Sequence, residues 1–121
     1  VLIAALARLG IVADRRAGFP GVWVDGARKI ASIGVGIRRW VTWHGFALNV
    51  GGDLDGFRAI TPCGIGGVVM TSVVREAAPV ELAAVRQIVA AEFVRTFGYG
   101  STAALEFSPP AAGDDVPRVA E

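Results

Sequence analysis

Asp25-Gly26 lies between two runs of β-branched and aromatic residues, and this commits the middle of the chain to a hairpin. Val22-Trp23-Val24 precedes the pair as a short strand. Lys29 to Ile37 follows as the return strand, with Ile33, Val35 and Ile37 alternating onto one face. Trp40 to Trp43 and Ala47 to Val50 read as further strand pieces joined through His44-Gly45. Consecutive strands with short connections pair antiparallel, so the centre of the chain is a sheet.

Helices flank that sheet. Leu2, Ile3, Leu6 and Leu9 are near helical spacing, and Gly10 is the expected stop. Residues 11–21 read as a loop closing with Phe19-Pro20-Gly21. Gly51-Gly52-Asp53 is a turn, Asn49 and Asp53 are loop-holding residues, and Leu54 to Phe57 is a short helical turn. Thr61 to Gly67 is a tight glycine-rich loop, and Val68 to Val74 a strand. Pro79 is expected to open a long helix with Val85, Ile88, Val89, Phe93 and Phe97 as its apolar stripe and Gly98 as its end. This order of helix, strands and helix is α+β: a mixed or antiparallel sheet flanked by helices. Residues 1–107 form one unit, and the Pro-, Ala- and Asp-rich residues 108–121 are expected to be a disordered tail. A first helix without an N-cap, and Val1 in place of Met, lead us to expect a processed protein or a piece of a longer one.

Composition narrows the function. Twelve Lys+Arg against eleven Asp+Glu give a net charge of +1, which argues against a nucleic-acid binder. One Cys and one His exclude the Cys₄ and Cys₂His₂ zinc sites and any intrachain disulfide, and no metal is expected. No apolar run reaches the roughly 20 residues that span a bilayer. A lone thiol fits a reducing compartment, so a cytoplasmic protein is expected. Gly64, Gly66 and Gly67 make no phosphate loop, because no Lys-Ser/Thr pair follows.

Three side chains are candidates for chemistry. Cys63 is placed by Pro62 and Gly64 on a sharp turn, where free backbone N–H groups can face an oxyanion. It is either a nucleophile or a small buried hydrophobe. Lys29 is the single Lys among eleven Arg, and unlike Arg it can lose a proton. It is either a solvated strand-end charge or a cation that activates the thiol and relays protons. His44 is either a base for Cys63, a substrate-orienting group, or a core histidine between Trp43 and Phe46. Arg15-Arg16 and Arg38-Arg39 are solvated charges or a dock for an acidic partner.

Gly21-Val-Trp-Val24, Lys29-Ile30, Gly34, His44-Gly-Phe-Ala-Leu-Asn-Val50, Asp53-Leu54, Phe57, Ile60 and Pro62-Cys-Gly-Ile65 occur in one order and spacing. Together they resemble the lipoyl(octanoyl) transferases, over roughly residues 18–76. The resemblance implies the catalytic fold shared with biotin and lipoate protein ligases. It implies transfer of octanoyl from acyl-carrier protein to a lysine of a lipoyl domain, in a 2-oxoacid dehydrogenase or the glycine-cleavage H protein, without a cofactor. By position Cys63 matches the acyl-accepting cysteine and Lys29 the catalytic lysine. His44, Gly45, Gly34 and Gly64 are matched to substrate binding. The ligases lack the cysteine, so Cys63 favours a transferase. The family's Arg-Gly-Gly and His-Gly-Pro-Gly-Gln stretches have no counterpart here, so the chain is expected to be a C-terminal part. A lipoate-ligase-like enzyme, a Cys-His hydrolase and an inactive fragment are the alternative readings.

Overall fold

The computed structural model describes residues 1–59 and 66–100. Helix α1 (Leu2–Arg8) leads into strands β1 (Ala13–Arg16), β2 (Phe19–Val24), β3 (Arg28–Arg38) and β4 (Val41–Leu48). A 3₁₀ turn (Asp55–Ala59), β5 (Val69–Met70), the short helix α2 (Val73–Glu76) and the long helix α3 (Leu82–Phe97) complete the described elements. The first four strands pair antiparallel in chain order, and β5 joins β3 in parallel. The sheet is therefore mixed and the class α+β, as the residue pattern predicts. The expected tail at 108–121 lies outside the described residues.

The Asp25-Gly26 hairpin forms as read, with both residues at left-handed φ of 51° and 66°. Beyond it the pairing is irregular. Val22 faces Ala31 while Trp23 faces Lys29, so one step on β2 spans two on β3. This is a β-bulge at Ile30, and it lets Ile30 and Ala31 both enter the core. Leu2 and Leu6 of α1 pack there against Val22, Val24, Ile30, Ala31 and Val73. Trp23 and Lys29 turn to the opposite face.

Four readings are corrected. Residues 11–21 are not a single loop: they contain β1 and the start of β2, a largely exposed hairpin whose arginines hide the strand pattern. Val41–Leu48 is one continuous strand, not two pieces, because His44 keeps its place in the ladder despite a φ of 65°. The Val68–Val74 strand stops at Met70. Ser72 starts α2, which tucks Val73 into the core and lets its N–H donate to the Asn49 carbonyl at 2.9 Å. Finally, α3 begins at Leu82 and not at Pro79, although Gly98 closes it in the left-handed conformation as expected. Of its stripe Val85 is buried, whereas Phe93 and Phe97 stand open at 39% and 59% exposure.

Asn49 splices the sheet at the point where β4 ends and β5 begins along the same edge of β3. Its N–H donates to the Ile30 carbonyl at 3.0 Å, and its Nδ2 donates to the Thr71 carbonyl at 3.0 Å. Thr71 N–H in turn donates to the Lys29 carbonyl at 2.9 Å, which fixes the backbone at Lys29. Arg28 closes the same corner. Its Nε and Nη2 donate to the two oxygens of Glu76 at 2.8 and 2.9 Å, and Thr71 Oγ1 donates to Glu76 Oε1 at 2.6 Å. The Arg28 guanidinium, with help from Thr71, holds the Glu76 carboxyl below the usual carboxylate range against the opposing effect of burial.

The Glu76 carboxylate thus contributes stability that is present above the ordinary carboxylate pKa and lost as pH falls through its lower folded value. Glu76→Ala is expected to cost about 1.5–3 kcal/mol at pH 7, the range for hydrogen bonds to charged groups. Urea denaturation should show that difference shrinking at pH 3, where the parent has lost part of the same interaction.

Candidate functional site

Lys29 is fully buried, with 0% of its surface exposed. A lysine is seldom buried this way, since removing an ammonium from water is costly unless its hydrogens are satisfied. The local sequence shows how it is held. Trp23, its cross-strand partner on β2, places its ring 5.7 Å from the Lys29 Nζ. Trp23 is itself fixed by an edge-on contact with Phe19 and by donating from Nε1 to the Phe19 carbonyl at 3.1 Å.

Gly21 makes room for the lysine stem. A Cβ at that position would stand 2.6 Å from Lys29 Cε and 2.5 Å from the Ala31 carbonyl oxygen. The φ of Gly21 is +133°, which side chains rarely adopt. Only glycine meets both conditions.

Beyond Lys29 the same face of the sheet is bare. Ser32 pairs with Ala47, Gly34 with Gly45, and Gly36 with Trp43, all on the side away from α1 by strand alternation. Nothing lies within 4 Å of where a Cβ would be at Gly34 or Gly45. The indole of Trp43 lies directly across Gly36 and closes the far end. The result is a floor of small side chains with an ammonium at one end and an indole at the other.

His44 stands elsewhere. It faces Val35, six residues along β3 from Lys29, roughly 20 Å at the rise of a strand. Its left-handed φ of 65° turns the ring onto Trp43, with centroids 4.1 Å apart. His44 and Gly45 also border a cleft of about 600 Å³ on the α1 side, with Ile33, Val35, Phe46, Phe93 and Phe97. The structure therefore brings Gly34 and Gly45 together on Lys29's face and sets the His44 ring apart from Lys29. Cys63 and Gly64 lie outside the described residues. Among the described residues no group of three His, Cys, Asp or Glu is placed to hold a metal ion.

Gly21, Trp23 and Ala47 stand in the motif string without a role of their own, and Ser32 stands outside it. Ser32 was within reach, since alternation from Gly34 puts it on the same face. Ala47 needed the register across β4, and Gly21 needed the path of the lysine side chain.

Gly21→Ala should cost about 1–3 kcal/mol by overpacking, and more through its φ. Trp23 fluorescence and thermal unfolding check this: a variant with unchanged Tm and unchanged emission would show that the lysine stem does not rest on Gly21.

The family described as the lipoyl protein ligase A/B catalytic domain matches residues 1–94. An octanoyltransferase of Desulfovibrio desulfuricans is 53% identical over 97 residues, covering 78% of this chain and 40% of that protein. An octanoyltransferase of Thermosynechococcus vestitus is 45% identical over 114 residues, 94% of this chain and 47% of that protein. One of Geobacter sulfurreducens is 52% identical over 94 residues, 77% of this chain and 40% of that protein. The chain thus spans less than half the length of these relatives.

Proposed function

The chain belongs to the lipoyl protein ligase A/B catalytic-domain family, and on that premise we propose that it carries the acyl-transfer centre of an octanoyltransferase. The observation that carries this reading is the fully buried Lys29, the one lysine of the chain, set at the end of a bare glycine-floored surface. A structural strand-end lysine would extend into water. This one is held between Trp23 and Gly21, where a charge has a job to do.

The reaction runs in two steps. The Cys63 thiolate attacks the carbonyl carbon of the octanoyl thioester on acyl-carrier protein. The carrier's sulfur leaves and takes up a proton, and octanoyl remains on Cys63 as a new thioester. The ε-amine of a lipoyl-domain lysine, neutral at the moment of attack, then displaces the Cys63 sulfur and forms an amide. The proton lost from nitrogen passes to the enzyme and the thiol is restored. No external energy source is required, because one thioester is exchanged for another and then for a more stable amide.

Lys29 serves both steps. As a cation it favours the thiolate form of Cys63. As a proton carrier it accepts from the attacking amine and gives to the departing sulfur. The Ser32–Ala47 and Gly34–Gly45 pairs form the floor on which the acyl chain lies, each buried methylene being worth about 0.8 kcal/mol. Gly64 follows the thiol in the sequence, and we assign its backbone N–H to the acyl carbonyl oxygen, where it would stabilise the oxyanion. His44, stacked on Trp43, fixes the far end of that floor and takes no part in proton transfer with Lys29. A reduced thiol is needed throughout, which fits a cytoplasmic setting.

Intact-mass analysis after incubation with octanoyl-acyl-carrier protein tests the reading. It is run on this chain and on the Desulfovibrio relative with its matching segment replaced by this chain. The expected result is one hydroxylamine-labile octanoyl group, absent in Cys63→Ala, with Lys29→Met slowing its appearance about 10²–10⁴-fold. Absence of the adduct from a folded replacement protein, or adduct formation only with octanoate and ATP, would sink the transferase reading.

A further inference from the structure

Two of the meander's three hairpin turns, those joining β1 to β2 and β3 to β4, lie at one end of the sheet. β2 begins and β3 ends there, since the two strands run antiparallel. Each turn carries an arginine pair: Arg15-Arg16 at the end of β1, and Arg38-Arg39 where β3 turns into β4. All four are exposed. Elsewhere Arg8 and Arg95 pair with Glu92, and Arg28 pairs with Glu76 and Asp25. Among the described residues no carboxylate pairs with the guanidinium of Arg15, Arg16, Arg38 or Arg39. The nearby Asp14 accepts only the backbone N–H of Arg15, at 2.7 Å.

The turn between β3 and β4 is built against local preference. Its central residues, Arg39 and Trp40, have φ of 50° and 64°. A two-residue hairpin turn with both φ positive favours Asn-Gly or Asp-Gly. Here a bulky cation and an indole take those positions, and Trp40 is 98% exposed. Arg and Trp are also the residues that most often dominate binding at interfaces. Backbone strain spent on displaying them to solvent is a mark of a working surface.

From Arg15 and Arg16 a groove of about 490 Å³ leads past Phe19 and Pro20 to Gly21, the residue on which the Lys29 stem rests. Arg16 stacks on Phe19 at 4.1 Å and on Trp23 at 4.9 Å along the way.

We propose that this hairpin end, Arg15, Arg16, Arg38, Arg39 and Trp40, is the docking surface for an acidic acyl-carrier protein, the donor in the first step. The proposal rests on the octanoyltransferase reading. The charge is complementary to such a partner, and complementary charge steers encounter and fixes orientation. Distance selects the donor over the acceptor. Arg38 is nine residues along β3 from Lys29, about 30 Å at strand rise. A lysine side chain on an acceptor cannot reach across that span, so a patch this far from Lys29 suits the donor. A carrier protein presents its acyl group on a long swinging arm, and the groove gives that arm a path as far as Gly21, against which the Lys29 stem packs.

The test uses the charge reversal R15E/R38E/R39E in this chain. Arg16 is left in place because it packs on Trp23, the neighbour of Lys29. Trp40→Ala is a second variant without a charge change, and circular dichroism confirms that each is folded. Fluorescence anisotropy reads the binding of labelled holo-acyl-carrier protein and, separately, of a lipoyl domain. Intact mass reads acylation of Cys63 by octanoyl-pantetheine, a donor without a protein body. The expected result is carrier binding that weakens with salt and falls about tenfold or more on charge reversal, and a smaller loss for Trp40→Ala. Lipoyl-domain binding and octanoyl-pantetheine acylation should be unchanged. Carrier binding equal to the parent in the reversed variant, no carrier binding by the parent, or an equal loss toward the lipoyl domain would overturn the docking assignment. Failure of octanoyl-pantetheine to acylate the parent, with charge-dependent carrier binding intact, would instead count against the transferase reading alone.

Discussion

The bulge at Ile30 is the constraint on which the rest of this fold depends. Without the extra residue on β3, strict alternation would put Lys29 and Ala31 on the same face. Either the lysine would enter the apolar layer beneath α1, or the core would lose Ala31. The bulge resolves the conflict by letting Ile30 and Ala31 share the core face while Lys29 swings to Trp23. Its position is then secured from both edges. Val22 and Trp23 hold it from β2, and Asn49 and Thr71 clamp the carbonyls of Ile30 and Lys29 from the other side.

A sheet built this way has two working faces with different physical characters. The face under α1 is filled with branched side chains and supplies the hydrophobic stabilisation. The face with Lys29 is stripped of side chains beyond the lysine, at Ser32, Gly34, Gly45 and Ala47. Glycine in a strand interior weakens the strand, so two facing glycines are a cost without structural return. Their return is space, since no atom approaches either position. The strength of β3 and β4 comes instead from an unbroken register of pairs from Ala31–Leu48 to Arg38–Val41.

Much of this was legible in the sequence where local chemistry and tertiary context agree. Asp25-Gly26 turned the chain, Gly98 ended α3, and Ile33, Val35 and Ile37 shared a face because each follows directly from backbone preference or period. The failures occurred where context overrode pattern. Val68 to Val74 is rich in β-branched residues, yet the core needs Val73 and the Asn49 carbonyl needs its N–H, so the chain leaves the sheet after Met70. β1 was hidden because an exposed edge hairpin rich in arginine has little apolar alternation to read. At the site, the motif string pointed to Lys29, Gly34 and Gly45, but the burial of Lys29 and the part played by Gly21 depend on the bulge, which no local pattern announces.

Charge shows the same limit from another side. A net charge of +1 suggests an electrically unremarkable protein, and it does argue against nucleic acid as a partner. Yet net charge is a sum, and interaction depends on where its terms lie. The carboxylates of Glu76 and Glu92 are used internally: one fastens α2 to β3 through Arg28, and the other ties α3 to α1 through Arg8 while holding Arg95. Each is kept ionised below the usual carboxylate range by its arginine partner. Acids committed to those joints cannot neutralise the hairpin end, where four arginines are left facing solvent. The same ion pairs that fasten the helices thus leave positive potential at the end of the sheet, beside the groove that leads to Gly21. An almost neutral chain can in this way present a strongly directional field to a partner.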